Sequence, residues 1–296
     1  MNDGIITTRD GRALAYAEYG DPAGRPVFYF HGFPGSRLEA GLASAAASDS
    51  RVRLIAVDRP GYGRSDFKPG RRILDWPDDV TDLADGLQID RFAALGVSGG
   101  GPYLCACALK LSRRITRAGI FCGLGPLDRR GATRGMLPAH GMLLGLVGRL
   151  PSTGPLMARL ITAMMLWSPE VAMAQFARRL PDVDRAFLSD PASRRVFIES
   201  YHEALRGGAR GAAWDLRLYT RSWGFGQDEI EMPVQFWHGE RDTIVPPSMA
   251  RAQLDGLRDG RARFFPRDAH FSVVFSNARE MLRLLTSEQA PDRAGA

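Results

Sequence analysis

Gly96-Val97-Ser98-Gly99-Gly100 closes one apolar run, Phe92–Val97, and is followed at once by a helical stretch, Pro102–Leu111. A serine between a strand and a helix, with glycine two positions away on both sides, sits on a turn too sharp for ordinary side chains. Such a turn forces the serine backbone into a strained conformation and lifts its hydroxyl above the end of the sheet. Only glycine leaves room where the backbone crosses on either side. Gly101-Pro102 then starts the helix, since proline is tolerated in a first turn. The spacing matches G-x-S-x-G, and the strand before it and helix after it supply the context that pattern needs.

Outward from this turn, the chain repeats one rhythm. Val27–Phe30, Leu54–Val57, Phe92–Val97 and Ile115–Cys122 are short continuous apolar runs. They are separated by helical stretches over about 38–48, 75–87 and 102–111. Continuous apolar strands alternating with helices indicate a mostly parallel sheet covered by helices on both faces, an α/β architecture. Ahead of them, Gly4–Thr8 and Arg12–Tyr19 flank Arg9-Asp10-Gly11, and an Asp-Gly between strand-like segments predicts a hairpin. The rhythm breaks near Gly125 and no strand-like run follows before Glu231. It resumes with Val234–Trp237, a helix over 247–257, Arg261–Phe265 and a last helix over 272–285, and Ala290–Ala296 reads as a frayed tail. The expected organisation is therefore a core made of residues 1–124 and 232–296, with 125–231 inserted as a helical lid.

These motifs resemble the α/β-hydrolase superfamily, in its capped, esterase-like serine hydrolase branch, from about Val27 to Leu285. The resemblance implies the chain order Ser, Asp, His for a catalytic triad, with Ser98 at the nucleophile elbow. His31-Gly32-Phe33-Pro34 follows the first parallel strand; in relatives the residue after His-Gly donates its backbone N–H to the oxyanion hole, which points to Phe33. The second donor is the N–H of Gly99. Phe33-Pro34 is expected to be a cis peptide, and His31 a structural hydrogen-bonding group. Asp58-Arg59-Pro60-Gly61-Tyr62-Gly63-Arg64-Ser65-Asp66 resembles a family loop that holds the neighbouring loops, so Asp58 and Ser65 read as structural. His238-Gly239-Glu240-Arg241-Asp242 places Asp242 in the acid position, with Asp128 and Glu240 as alternatives. Asp268-Ala269-His270 follows the last strand and places His270 as base, whereas His31 and His238 fall in other motifs and His140 and His202 in the lid. An imidazole takes the serine proton, and a carboxylate fixes its tautomer and stabilises the imidazolium.

The expected reaction is hydrolysis of a carboxylic ester, thioester or lactone through an acyl-Ser98 intermediate. A serine at the elbow argues against the carboxylate-dependent dehalogenase and epoxide hydrolase branches. Two alternatives stay open: a cofactor-free haloperoxidase or perhydrolase of the same fold, and a weakly catalytic ligand receptor on a hydrolase scaffold. No cofactor is expected, because Gly96–Gly101 carries serine where a dinucleotide fingerprint needs glycine. No metal is expected either, since Cys105, Cys107 and Cys122 lack zinc-like spacing. Three cysteines are too few and odd in number for a disulfide framework and read as buried thiols of a reducing compartment.

The chain has 296 residues, 45% apolar and 24% charged, enough for a substantial core and unlike a disordered polyelectrolyte. Its 39 Lys plus Arg exceed 33 Asp plus Glu by +6, and only Lys68 and Lys110 are lysine. Residues 129–230 carry 14 Arg against 9 acids, so +5 of that charge lies in the insert. Spread among Met, Leu and Trp, this charge argues against a nucleic-acid partner and against a substrate bearing a free amine, as proline iminopeptidases take. It leaves room for an anionic or hydrophobic acyl substrate, and a homodimer stays open. Met136, Met142, Met157, Met164, Met165 and Met173, with Leu143, Leu144, Leu146, Leu166, Trp167, Phe176, Trp214 and Trp223, are expected either to line an acyl pocket or to pack helix on helix. The polar N-terminus lacks the apolar core of a signal peptide, and apolar stretches 142–147 and 160–167 are too short to span a bilayer, so a cytoplasmic location is expected.

Overall fold

In the computed structural model, residues 1–129 and 131–287 are described; the expected tail Ala290–Ala296 lies outside them. Eight strands form one sheet: β1 (Asn2–Thr7), β2 (Ala13–Gly20), β3 (Arg25–Phe30), β4 (Val52–Val57), β5 (Phe92–Val97), β6 (Ile115–Phe121), β7 (Val234–Gly239) and β8 (Gly260–Phe265). Their order is β1-β2-β4-β3-β5-β6-β7-β8. The β1–β2 hairpin is antiparallel and β2 joins β4 antiparallel, while every pair from β4 to β8 is parallel. This is the expected mostly parallel α/β-hydrolase sheet. Buried on both faces, β5 shows no exposed residue, which is why it reads as a continuous apolar run; β8 at the edge is only half-buried.

Helices cover both faces. Three core helices precede the insert: α1 (Ser44–Asp49), α2 (Trp76–Gly86) and α3 (Gly101–Lys110). The insert between β6 and β7 holds α4 (Pro138–Arg149), α5 (Gly154–Trp167), α6 (Pro169–Ala177), α7 (Asp182–Ser189), α8 (Pro191–Ala204) and α9 (Arg210–Tyr219), with no strand among its described residues. The chain returns through α10 (Pro247–Leu254), α11 (His270–Ser276) and α12 (Ala278–Thr286). Trp76, Leu83, Leu104 and Met249 of α2, α3 and α10 bury against one face of the sheet, and Ala47, Met281, Leu282 and Leu285 of α1 and α12 against the other. Each such fully buried large side chain contributes about 1.5–3 kcal/mol of transfer free energy. The insert has a separate apolar cluster that includes Val147, Ala158, Met165, Met173 and Leu216.

Two local expectations are corrected. The helix expected from about 38 begins as a 3-10 turn, Arg37–Ala43, capped by Ser36, whose hydroxyl accepts from Leu38 N–H; regular α-helix starts only at Ser44. The last helix expected over 272–285 is two helices that meet at Asn277. There the Asn277 side-chain amide donates to Asp268 Oδ2 and to the Val273 carbonyl, both at 3.0 Å. An asparagine that satisfies a carbonyl of the preceding turn ends one helix and lets the next change direction.

Candidate active site

Every expected site residue lies at the carboxyl ends of the parallel strands, where a doubly covered sheet opens into a crevice. Ser98 follows β5 with φ +52°, the only left-handed serine among the described residues. A Cβ on Gly96 would come 2.6 Å from the Gly100 carbonyl oxygen, and one on Gly100 would come 2.2 Å from the Phe30 carbonyl oxygen. A side chain at Gly96 would push the elbow turn and α3 off β5, and one at Gly100 would push the turn off the end of β3, which is the physical content of the glycines in the pentapeptide. The Ser98 carbonyl is fixed by Leu124 N–H at 2.9 Å, and the Ser98 residue itself stays partly exposed.

The Phe33-Pro34 bond is cis, as the His-Gly-x-Pro resemblance implies. Phe33 lies against the elbow: a Cβ on Gly99 would stand 2.7 Å from Phe33 Cβ. Among the described residues, neither Phe33 N–H nor Gly99 N–H donates to a protein acceptor. Two adjacent, unspent backbone donors beside a serine hydroxyl are what a developing alkoxide requires.

Asp242 and His270 meet. Asp242 Oδ2 is 2.7 Å from His270 Nδ1, and Asp242 Oδ1 accepts from Ile244 N–H at 2.8 Å and Val245 N–H at 2.9 Å. Both groups are buried. Burial by itself would raise the carboxyl pKa, but the His270 charge outweighs it and holds Asp242 down at about 2. Burial likewise opposes the imidazolium, and the Asp242 carboxylate overcomes it, keeping the His270 pKa above that of an ordinary histidine. Asp128 is exposed, and Glu240 pairs with Arg251 at 2.7 Å, so neither is the carboxylate on His270. The Nδ1 bond leaves His270 Nε2 unengaged by Asp242, with Cys122 Sγ 3.9 Å away.

The other histidines do not occupy the position of His270. His31 is fully buried, takes Arg59 N–H on Nε2 at 3.3 Å and faces the Gly32 carbonyl with Nδ1 at 2.9 Å. Burial and then the Arg59 charge push its pKa well down, so it is a neutral strut. His238 meets the Val245 carbonyl through Nε2 at 2.7 Å and also lies 3.4 Å from Asp242 Oδ2, so it touches the carboxylate that holds His270. His140 sits on α4 near Phe176, where burial and then the His270 charge lower its pKa; His202 is exposed. Asp58 and Ser65 hold loops together: Ser65 Oγ donates to the Asp58 carbonyl at 2.8 Å, and Asp58 accepts from Arg37 N–H at 2.7 Å.

Three residues escape the sequence reading. Glu39 is buried and accepts from Gly32 N–H at 3.0 Å and from Tyr29 OH, which fixes the loop that carries Phe33. Asp184, on α7, accepts from the backbone N–H groups of His270, Phe271 and Ser272 at 2.8, 3.0 and 2.9 Å. Asp215, on α9, is fully buried. It accepts from Arg59 Nε at 3.1 Å, Tyr62 OH at 2.9 Å and Tyr219 OH at 3.0 Å, and also from Arg71 and Tyr103. Two members of this cluster reach the Phe33 and Gly99 loops directly: Arg59 Nη2 donates to the Gly32 carbonyl at 2.9 Å, and Tyr219 OH shares its single proton between the Gly99 carbonyl at 2.9 Å and Asp215 Oδ2. Burial would raise the Asp215 pKa, but Arg71 and Arg59 outweigh it and keep the group ionised.

Cys122, Asp242 and His270 bring donor atoms within 4.8 Å of one another, a grouping that sequence spacing does not reveal. Those donors are already engaged, Asp242 with His270 and Cys122 with the His270 carbonyl at 3.4 Å, and burial pushes the Cys122 thiol pKa up, away from the thiolate a metal takes. A separate cleft of about 700 Å³ among Arg25, Arg91, Arg117 and Arg261 opens at the amino ends of the strands, far from Ser98. Of the two readings for the lid methionines, Met136, Met165 and Met173 follow helix packing, buried in apolar clusters, whereas Met142, Met164, Leu146, Leu166 and Trp167 follow neither and are exposed.

The family model described as the alpha/beta hydrolase fold matches residues 25–133. A non-heme chloroperoxidase of Streptomyces lividans is 33% identical over 126 residues, covering 42% of this chain and 46% of that relative, so the match spans about half of its length. A bifunctional esterase/perhydrolase of Acinetobacter calcoaceticus is 24% identical over 90% of this chain and 92% of its own. Among solved structures, a bromoperoxidase from Bacillus anthracis superposes with a TM-score of 0.72 at 16% identity, over 96% of this chain and 99% of that one. An esterase from Rhodococcus sp. superposes with a TM-score of 0.66 at 21% identity, over 96% of this chain and all of that one. No helix among the described residues is long and apolar enough to cross a membrane.

Proposed function

We propose that this chain is an α/β-hydrolase, as the fold and the match over residues 25–133 support, and that it hydrolyses carboxylic esters through an acyl-Ser98 intermediate. The observation that carries this reading is the buried Asp242–His270 pair at the strand ends that also present a left-handed Ser98. In this mechanism Ser98 Oγ attacks the acyl carbonyl while its proton passes to His270 Nε2. The carbonyl oxygen becomes an alkoxide held by the N–H groups of Phe33 and Gly99. Collapse of this tetrahedral intermediate breaks the ester bond, and His270 gives its proton to the leaving alkoxide. Water, deprotonated by His270, then attacks the acyl-Ser98 carbonyl; the acid leaves and the proton returns to Ser98. Asp242 stays ionised throughout and fixes the imidazole. The helical insert 125–231 acts as a lid over this site and selects the acyl group; the +5 charge on 129–230 favours a neutral or anionic acyl substrate over an amine.

A fluorophosphonate probe tests the reading. The expected result is one covalent adduct, on the tryptic peptide containing Ser98, that appears with loss of esterase activity. Folded protein that turns over esters without labelling at Ser98 would place the nucleophile elsewhere.

The pH profile is a second test. Catalysis needs neutral His270, and the Asp242 carboxylate raises the His270 pKa. Activity is therefore lost as pH falls through that raised value, and the acid limb of kcat/KM has its midpoint above about 6.5, the ordinary histidine value. A midpoint clearly below it would mean that the coupling with Asp242 does not govern the base.

The name of the Acinetobacter relative supports a second reading, in which hydrogen peroxide replaces water in the deacylation step and a peracid leaves. Peracid formed from acetate and peroxide, at a rate exceeding hydrolysis of the matching ester, would favour it.

A further inference from the structure

The insert carries an apolar surface that the ester chemistry does not use. On α5, Leu156, Leu160, Met164 and Trp167 recur at spacings of four, four and three, which places them on one side of the helix. All four are exposed, Trp167 at 91%. The opposite side, with Gly154, Ala158 and Met165, is buried, and α5 packs there against α9. Met142, on α4, and Leu150, just past its end, are further exposed apolar side chains of the same segment, and α4, like α5, packs on α9. A monomer surface that collects this many large apolar side chains marks a contact site.

The charge around this surface indicates what covers it. Residues 129–168 contain five arginines and no Asp or Glu. Arg134, Arg149 and Arg159 are exposed, and no ion pair holds any of them among the described residues. The first acid beyond, Glu170, is already paired with Arg194 at 3.4 Å. By helical spacing, Arg149 shares an arc with Met142 on α4, and Arg159 flanks the Leu156–Leu160 edge of α5. A second copy of the chain docked face to face would set arginine against arginine with no intervening acid. An anionic sheet of charge with an apolar layer beneath it satisfies both features at once. At 12 and 14 residues, α4 and α5 are about 18–21 Å long. They are too short to span a bilayer core of ~30 Å, so they would lie in its interface, where an exposed tryptophan at a helix end is at home.

We propose that the exposed α4–α5 face docks reversibly on anionic phospholipid bilayers. The proposal is independent of the Ser98 chemistry and does not need it to be correct. Vesicle flotation at low salt tests it, with phosphatidylcholine alone and with phosphatidylcholine containing phosphatidylglycerol. The expected result is partitioning onto the anionic vesicles that exceeds the zwitterionic value roughly tenfold or more and falls with added salt. Leu156→Glu/Leu160→Glu, and separately Arg149→Gln/Arg159→Gln, should each cut the partitioning by about tenfold. Circular dichroism, measured on the same samples, should remain at the wild-type signal, so that lost partitioning is not lost folding. No partitioning onto either vesicle, equal partitioning onto both, or partitioning that neither double variant reduces overturns the proposal. So does a dimer in sedimentation analysis that Leu156→Glu/Leu160→Glu dissociates, since the face would then belong to a second copy.

Discussion

Ser98→Ala is expected to abolish hydrolysis of short p-nitrophenyl esters, with a fall in kcat of about 10⁴–10⁶-fold. The residual rate is that of a site that still binds the acyl group and still offers two backbone donors, because the N–H groups of Phe33 and Gly99 do not depend on the hydroxyl. Stability should scarcely change. The substitution leaves the left-handed φ of +52° in place, and Ser98 Oγ has no recorded partner to lose among the described residues. A thermal melt beside the kinetics therefore separates chemistry from folding: activity gone and Tm within a degree or two is the outcome expected. A kcat reduced by less than tenfold in a folded variant would remove Ser98 from the role assigned to it.

The second large effect is on folding. Asp215 is a fully buried carboxylate that faces two buried guanidinium groups, Arg59 and Arg71, and three tyrosine hydroxyls. Asp215→Ala takes away the shared anion and leaves both cations buried without compensation. Breaking such a pair from one side typically costs about 3–5 kcal/mol, far more than a surface ion pair. Urea unfolding should show that loss as a lower midpoint. Catalysis should suffer in the surviving folded fraction as well, because Arg59 and Tyr219 hold the Gly32 and Gly99 carbonyls at 2.9 Å. A shift of these loops by a fraction of an ångström misaims the Phe33 and Gly99 donors, with an expected fall in kcat of roughly tenfold to a hundredfold. An Asp215→Ala protein as stable as the wild type would show that the arginines find other partners or water.

The contrast between these two residues shows what was readable beforehand. Ser98, Asp242 and His270 each follow an apolar strand and sit in a short local pattern, so one-dimensional spacing was enough to nominate them. Asp215 and Asp184 lie on amphipathic helices with nothing local to mark them. Their importance comes from partners 144 and 156 residues away for Asp215 and 86 for Asp184, and only the tertiary fold brings these together. The sheet was legible because strands buried on both faces must be continuously apolar. The insert was less so: α5 is apolar on nearly every side, and periodicity cannot say which side turns inward. Six lid methionines thus leave pocket and packing equally readable, and the fold turns Met164 and Met142 outward and buries Met165 in packing. The break at Asn277 was hidden for a related reason, since an apolar run with one polar residue reads equally well as a single helix.

Asp184 has a consequence for modular redesign. Its carboxylate, borne by the insert, carries the first three N–H groups of the helix that begins with His270, and Asp215, from the same insert, braces the opposite wall. A chimera that exchanges residues 125–231 for the corresponding segment of a relative therefore does more than trade one substrate filter for another. Unless the incoming segment brings an acid to each of these two places, the recipient scaffold inherits a loosened base and a slack oxyanion loop along with its new specificity.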